Sequence, residues 1–268
     1  MNVIEESSTG NDTSVNDSST DINDNPTSDN STEEKDENNT DTCQKVDKPE
    51  GLLITLYREE SSVWEKVVNL DAYDIIAVVN PDNGPGDTVS PLYQEVVSDL
   101  VANVKTPIGY IHTDYGNRSI DEIKAEIDKW IELYPEIKGF FLDTVSDNKT
   151  HFDFYKEIYD YIKSKGNYIV VLNIGTYPDE SYFEIADNIV IYEGEPNDFD
   201  SSLCNNYPEK SSLIIYNADE NTMTDLMQNS SCSYKYITDD TLPNPYDTLP
   251  SYIDREAELS KYDNICIN

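Results

Sequence analysis

The sequence predicts a (β/α)8 barrel, and three observations carry that expectation. First, eight short apolar runs alternate with amphipathic or turn-rich stretches over about 220 residues, the strand count and length of such a barrel. Second, the run Ile137-Lys138-Gly139-Phe140-Phe141-Leu142-Asp143-Thr144 is apolar on both faces and stops abruptly on a carboxylate. A strand of that kind belongs to a parallel sheet covered by helices, and chemistry in such sheets sits beyond the carboxyl ends of the strands. Third, the rival open sheet needs a glycine-rich phosphate loop after its first strand. Tyr57-Arg58-Glu59-Glu60 contains no glycine.

In order, Gly51 to Tyr57 reads as a first strand and Val63 to Val68 as a short helix. Asp74 to Asn80 is a β-branched second strand, followed by Pro81-Asp82-Asn83-Gly84-Pro85-Gly86, a dense turn signal. Pro91 to Ala102 has helical periodicity, and Ile108 to Ile111 is a third strand. Ser119 to Tyr134 is a helix on which Ser119 and Glu122 spell a capping box. The run ending at Asp143 is the fourth strand, and Phe152 to Lys165 the helix after it. Tyr168 to Asn173, Ile189 to Tyr192, Ser212 to Tyr216 and Tyr234 to Ile237 complete the eight strands. Short helices are expected at Ser181 to Ala186 and Met223 to Gln228, and a closing one at Ser251 to Lys261.

Residues 1 to about 48 read differently: 13 acidic and 3 basic side chains among Asn, Asp, Ser and Thr, with almost no large apolar residue. Such a segment cannot offset ordering entropy by burial, so a disordered acidic tail is expected, with the barrel over 49–268. The whole chain carries −36, of which −26 falls on the barrel. That charge repels nucleic acid and anionic membrane surfaces and disfavours polyanionic substrates; a neutral or cationic ligand suits it better.

The four cysteines form no CxxC and only two histidines exist, so a zinc site is not expected. Two disulfides in an oxidising compartment are, as Cys204–Cys232 and Cys43–Cys266. Spacing alone does not give that connectivity. Seven Asn-x-Ser/Thr sequons, at Asn11, Asn16, Asn30, Asn38, Asn117, Asn148 and Asn229, agree with a secreted or cell-surface glycoprotein. Met1-Asn2-Val3-Ile4-Glu5 is not a signal peptide, and no stretch is long enough for a transmembrane helix. A monomer is expected, with no cofactor.

The barrel assumption lists its own rim. Tyr57 follows the first strand and Asn80 the second; His112, Asp114, Tyr115 and Arg118 follow the third. Asp143 follows the fourth, Asn173 the fifth, Glu193 the sixth, Tyr216 the seventh, and Asp239 and Asp240 the eighth. There is no GxSxG turn. Two carboxylates with aromatic neighbours are what glycosidic bond cleavage requires, one to attack or stabilise the sugar cation and one to protonate the leaving oxygen. Asp143 and Glu193 are the candidates for catalysis. Tyr57, Asn80, His112, Asp114, Tyr115, Arg118, Asn173 and Tyr216 are candidates for binding substrate, with His112 more naturally a hydrogen-bonding spacer. The blander reading has Asp143 capping the next turn and Glu193 paired with Arg58 or Arg118.

The chain also resembles a known family. Asn80-Pro81-Asp82-Asn83-Gly84-Pro85-Gly86, Gly109-Tyr110-Ile111-His112-Thr113-Asp114-Tyr115-Gly116-Asn117-Arg118 and Gly139-Phe140-Phe141-Leu142-Asp143 are similar to motifs of the spherulin-4 family. The likeness continues through Asn173-Ile174-Gly175-Thr176-Tyr177-Pro178 to Glu193, and resumes at Tyr236 to Asp240 and Asn244 to Pro250. It implies a (β/α)8 fold and endo-acting hydrolysis of an α-1,4-linked galactosamine or N-acetylgalactosamine polysaccharide. A partly deacetylated polymer of that kind is cationic, in keeping with an acidic barrel. It also implies an Asp-Glu pair ending the fourth strand and a Glu ending the sixth. Asp143 and Glu193 match; the second acid of the pair falls on Thr144, which can neither carry charge nor donate a proton near neutral pH. Ile174 departs as well, from a usual proline. Two readings follow: a carbohydrate-active hydrolase that keeps two of three acids, or a non-catalytic carbohydrate-binding, cell-wall or spore-coat protein on the same fold.

Overall fold

A computed structural model describes the backbone of residues 42–47 and 50–267 and the side chains of residues 50–262. The tail expected over 1–48 otherwise lies outside the described residues. Thr42–Asp47, which composition alone assigns to that tail, is a strand (β1) paired antiparallel with the last one, Tyr262–Ile267 (β10). Their register sets Cys43 opposite Cys266; the expected bond there lies outside the described side chains.

Eight parallel strands close the barrel in chain order: β2 (Gly51–Thr55), β3 (Asp74–Val79), β4 (Thr106–His112), β5 (Gly139–Asp143), β6 (Ile169–Asn173), β7 (Asn188–Gly194), β8 (Ser211–Ile215) and β9 (Tyr234–Ile237). β9 returns to pair with β2. Their near-continuous burial is what helices on the outside and a packed interior demand. The helices are α1 (Ser61–Asn69), α2 (Pro91–Ala102), α3 (Ile120–Leu133), α4 (Phe152–Lys165), α5 (Glu220–Asn229) and α6 (Ile253–Leu259).

Two expectations change. Ser119 takes the N-cap position of α3, but its side chain makes no capping bond, and Glu122 instead lines a surface cavity. The helix expected at Ser181 to Ala186 is a short 3-10 turn over Glu180–Glu184. Three more such turns, two of them begun by Pro196 and Pro208, replace a helix between β7 and β8. The Cys204–Cys232 disulfide, Cα–Cα 4.9 Å, ties this irregular segment to the start of β9.

Packing also aims the site. Gly109 on β4 leaves room for Trp130 of α3, whose ring a Cβ there would meet at 2.7 Å. Trp130 Nε1 then donates to the Tyr110 carbonyl at 3.0 Å, which fixes the backbone that carries Tyr110 into the barrel.

Buried carboxylates are the weak point of such a core. Glu256 on α6 is fully buried; Oε1 accepts from the Ile237 N–H at 2.8 Å, and Oε2 has no hydrogen-bond partner. Burial raises its pKa from 4.5 to about 8. The folded chain therefore holds a proton there that the unfolded chain releases, so the stabilisation is complete below about 4.5 and is lost as pH rises to about 8. Each pH unit in that window costs at most about 1.4 kcal/mol, roughly 3–6 °C in Tm. We expect Glu256→Gln to flatten the fall of Tm between pH 5 and 8 in thermal melts; a slope equal to that of the parent protein would show that Glu256 is ionised in the fold.

Candidate active site

Asp143 closes β5, Asn173 closes β6, and Glu193 is the penultimate residue of β7. These strands are consecutive neighbours, so parallel pairing brings the three side chains to one sector of the rim. Asn173 stands between the acids. Its amide nitrogen donates to Asp143 Oδ1 and to Glu193 Oε2, each at 2.7 Å, so those oxygens lie no more than twice that distance apart. Both of these carboxyl oxygens accept, so the amide presents its NH2 to them. Asn173 Oδ1 is left buried without a partner.

Tyrosines hold the outer oxygens. Tyr110 donates to Asp143 Oδ2 at 2.7 Å, and Tyr246 donates to Glu193 Oε1. Tyr57 meets both rings edge-on, with centroids 5.6 and 5.7 Å away. Its N–H also donates to the Tyr246 carbonyl at 2.8 Å, tying the loop after β9 to the end of β2. Burial pushes all three phenols upward, and the neighbouring carboxylates add to the rise; they stay neutral. Burial raises Glu193 too, helped by the charge of Asp143 and opposed by the bonds from Tyr246 and Asn173. Glu193 keeps its proton to higher pH than an ordinary glutamate.

The blander pairings do not form. Arg58 bonds Glu60 at 3.1 Å and Arg118 bonds Glu126 at 2.7 Å, while both Asp143 oxygens face the cleft partners above. The acids open into a cavity of about 420 Å³, also lined by Tyr115, Thr144, Tyr216 and Leu242. Among the described residues, no group of three His, Cys, Asp or Glu could hold a metal ion, and no helix is long and apolar enough to cross a membrane.

Of the sequence-derived binding candidates, Asn173, Tyr115 and Tyr216 line this cavity, and Tyr57 packs edge-on against Tyr246, which also lines it. The others fall elsewhere. Asn80 Oδ1 accepts from the Gly84 N–H at 2.8 Å, bracing its own loop rather than the cleft. Arg118 donates to the His112 carbonyl at 2.6 Å and pairs with Glu126, so it clamps the loop before α3. His112 and Arg118 line a separate cavity of about 470 Å³. Asp114 is exposed and does not line the acid cavity.

Sequence reasoning missed Tyr110 and Tyr246. Tyr110 stands two residues before His112 on the same strand face, and period-2 alternation points to it. Tyr246 comes from a loop without periodicity, and its signal is its place in the Asn244 to Pro250 stretch that carries the family resemblance. Thr144 has a use of its own: its hydroxyl donates to the Asp143 carbonyl at 2.7 Å and accepts from the Asp114 N–H at 3.0 Å. Its φ of 52° is strained for a β-branched residue, a conformation costing about 1–3 kcal/mol.

Residues 51–259 match the family model described as spherulation-specific family 4. The chain is 32% identical over 235 residues to Spherulin-4 of Physarum polycephalum, covering 78% of this chain and 70% of that protein. Its fold is similar to that of Aspergillus clavatus Sph3, solved in complex with GalNAc. The TM-score is 0.71 with 19% identity, covering 79% of this chain and 98% of that one.

Removing the Tyr246 hydroxyl deletes a bond that lowers the Glu193 pKa. We expect Tyr246→Phe to raise that pKa further, because one bond that favours the charged form is lost. Carboxyl carbon shifts followed against pH give the value; an unchanged or lower pKa would remove Tyr246 from the control of Glu193.

Proposed function

The chain belongs to spherulation-specific family 4, and on that premise we propose that it is a carbohydrate-active barrel that cleaves glycosidic bonds with Asp143 and Glu193. The observation that carries the reading is the shared amide: Asn173 donates to both acids at 2.7 Å. Carboxyls about 5–5.5 Å apart suit a retaining reaction, whereas inverting enzymes need about 6.5–9.5 Å to seat a water. Inner oxygens bridged by a single nitrogen support the first arrangement. Glu193, raised by burial, is the general acid, and Asp143 the nucleophile. Asp143 bonds to the anomeric carbon as Glu193 protonates the departing glycosidic oxygen. Glu193 then takes a proton from water, whose oxygen displaces Asp143. Tyr110, Tyr246 and Asn173 orient the pair.

We further propose as substrate an α-1,4-linked galactosamine or N-acetylgalactosamine polysaccharide. The support is the family membership, the GalNAc bound to Sph3, and the acidity of a barrel at −26, which favours a chain carrying free amines. Secretion or display at the cell surface, with sequon glycosylation, agrees with the disulfide.

One observation favours a second reading, a non-catalytic carbohydrate-binding or cell-wall protein. Position 144, an acid by resemblance to the family, is a threonine whose hydroxyl is engaged by the backbone.

The readings separate on purified protein mixed with galactosaminogalactan. Hydrolysis predicts released oligosaccharides of retained anomeric configuration by proton NMR, with Asp143→Asn and Glu193→Gln each slower by roughly 10²–10⁴-fold. Because Glu193 acts protonated, the rate should fall as pH rises through its elevated pKa. Binding without release, restored to hydrolysis by Thr144→Glu, would establish the second reading instead.

A further inference from the structure

Three of the six non-glycine residues with left-handed φ among the described residues meet at one lip of the acid cavity: Asp114 (48°), Tyr115 (53°) and Thr144 (52°). Side chains adopt that region reluctantly, and such residues persist where the surroundings over-determine them. Here they do. The Thr144 hydroxyl accepts from the Asp114 N–H at 3.0 Å and from the Thr113 N–H at 3.3 Å. The Thr144 carbonyl accepts from the Tyr115 N–H at 2.7 Å and from the Thr113 hydroxyl at 2.9 Å. Residues 113–115 thus form a hook whose Asp114 and Tyr115 N–H groups hang on Thr144, while Thr113 also bonds the Asp143 carbonyl through its N–H at 3.0 Å and its hydroxyl at 2.9 Å.

The hook has a product. Tyr115 is 56% exposed although it lines the cavity that holds Asp143 and Glu193. Of the four exposed large apolar side chains among the described residues, a second, Leu242 at 62%, lines the same cavity. Two exposed apolar side chains gathered at one polar cleft suit a face that binds a ligand. A tyrosine ring offers a flat apolar face with a wet edge, which suits a pyranose whose axial hydroxyl leaves its C–H groups on one side. A galacto-configured ring has that shape and a gluco-configured ring lacks it.

We propose that Thr144 anchors the 113–115 hook and that the hook presents Tyr115 as an aromatic platform, selecting galacto-configured sugars at the mouth of the cleft. The assignment rests on the carbohydrate reading above. Position 144 then acts through Tyr115 as a positioning residue.

Two measurements on the full chain test it. Amide hydrogen exchange reads the anchor without any sugar: Thr144→Val should speed exchange at Asp114 roughly tenfold, and Thr144→Ser should not. Unchanged exchange in Thr144→Val would overturn the anchor. Titration with GalNAc and with GlcNAc reads the platform: Tyr115→Ala should lose roughly tenfold in GalNAc affinity and lose the preference over GlcNAc, while Tyr115→Phe retains both. Thr144→Val should weaken GalNAc in the same direction, and its loss should not add to that of Tyr115→Ala in the double variant. Parent-like GalNAc affinity in Tyr115→Ala would overturn the platform alone, and additive losses would overturn its link to Thr144. A parent protein that binds neither GalNAc nor galactosaminogalactan would instead overturn the carbohydrate reading, and the platform with it.

Discussion

One amide group sets the terms for the rest of the site. Two carboxylates this close repel, and burial disfavours the charge on either. Asn173 offers each a hydrogen bond without adding a charge, through one nitrogen with two protons. That geometry depends on the sheet, because only a residue on the strand between β5 and β7 can reach both neighbours. An aspartate there would add a third negative charge, and a leucine would leave two inner oxygens unsatisfied. The unpartnered Asn173 Oδ1 is the cost of the arrangement: a buried acceptor is given up so that both acids are bound.

The floor of tyrosines follows from the same constraint. Tyr110 and Tyr246 complete the row from Asp143 through Asn173 to Glu193, and Tyr57 packs against both. A cationic partner would satisfy the outer oxygens more strongly, but it would hold Glu193 ionised and useless as a proton donor. Neutral phenols satisfy the oxygens and let burial decide the proton. The arginines of this side of the barrel, Arg58 and Arg118, are turned to Glu60 and Glu126 instead. Glu193 therefore rises in pKa despite accepting two hydrogen bonds.

What the sequence made legible follows the reach of local pattern. The eight strands were readable because runs such as Ile75 to Val79 and Phe140 to Leu142 are buried on both faces, and strand ends then named Asp143, Asn173 and Glu193. Side-chain direction beyond the strand end was not readable. Asn80 and Arg118 are as polar as Asn173, yet they satisfy loop backbone and a helix carboxylate. Tyr246 lies nine residues past the end of β9 and is placed by a backbone bond from Tyr57 that no periodicity encodes. Thr42–Asp47 went unseen as a strand because its partner, Tyr262–Ile267, lies at the other end of the chain, and an isolated pair of edges carries little apolar signal.

Thr144 shows why losing a charge need not mean losing a role. A glutamate beside Asp143 would place a third acid in a cavity where one carboxylate already raises the pKa of another. It has no hydroxyl on Cβ to accept two backbone N–H groups, as Thr144 does. Chemistry at this position and satisfaction of the neighbouring loop therefore compete for one side chain. The threonine resolves that competition toward the loop: it lowers the electrostatic load on Asp143 and Glu193 and leaves any proton transfer to that pair. On the proposed reading, turnover comes from two acids held by one amide, and selectivity from the aromatic lip bonded to Thr144.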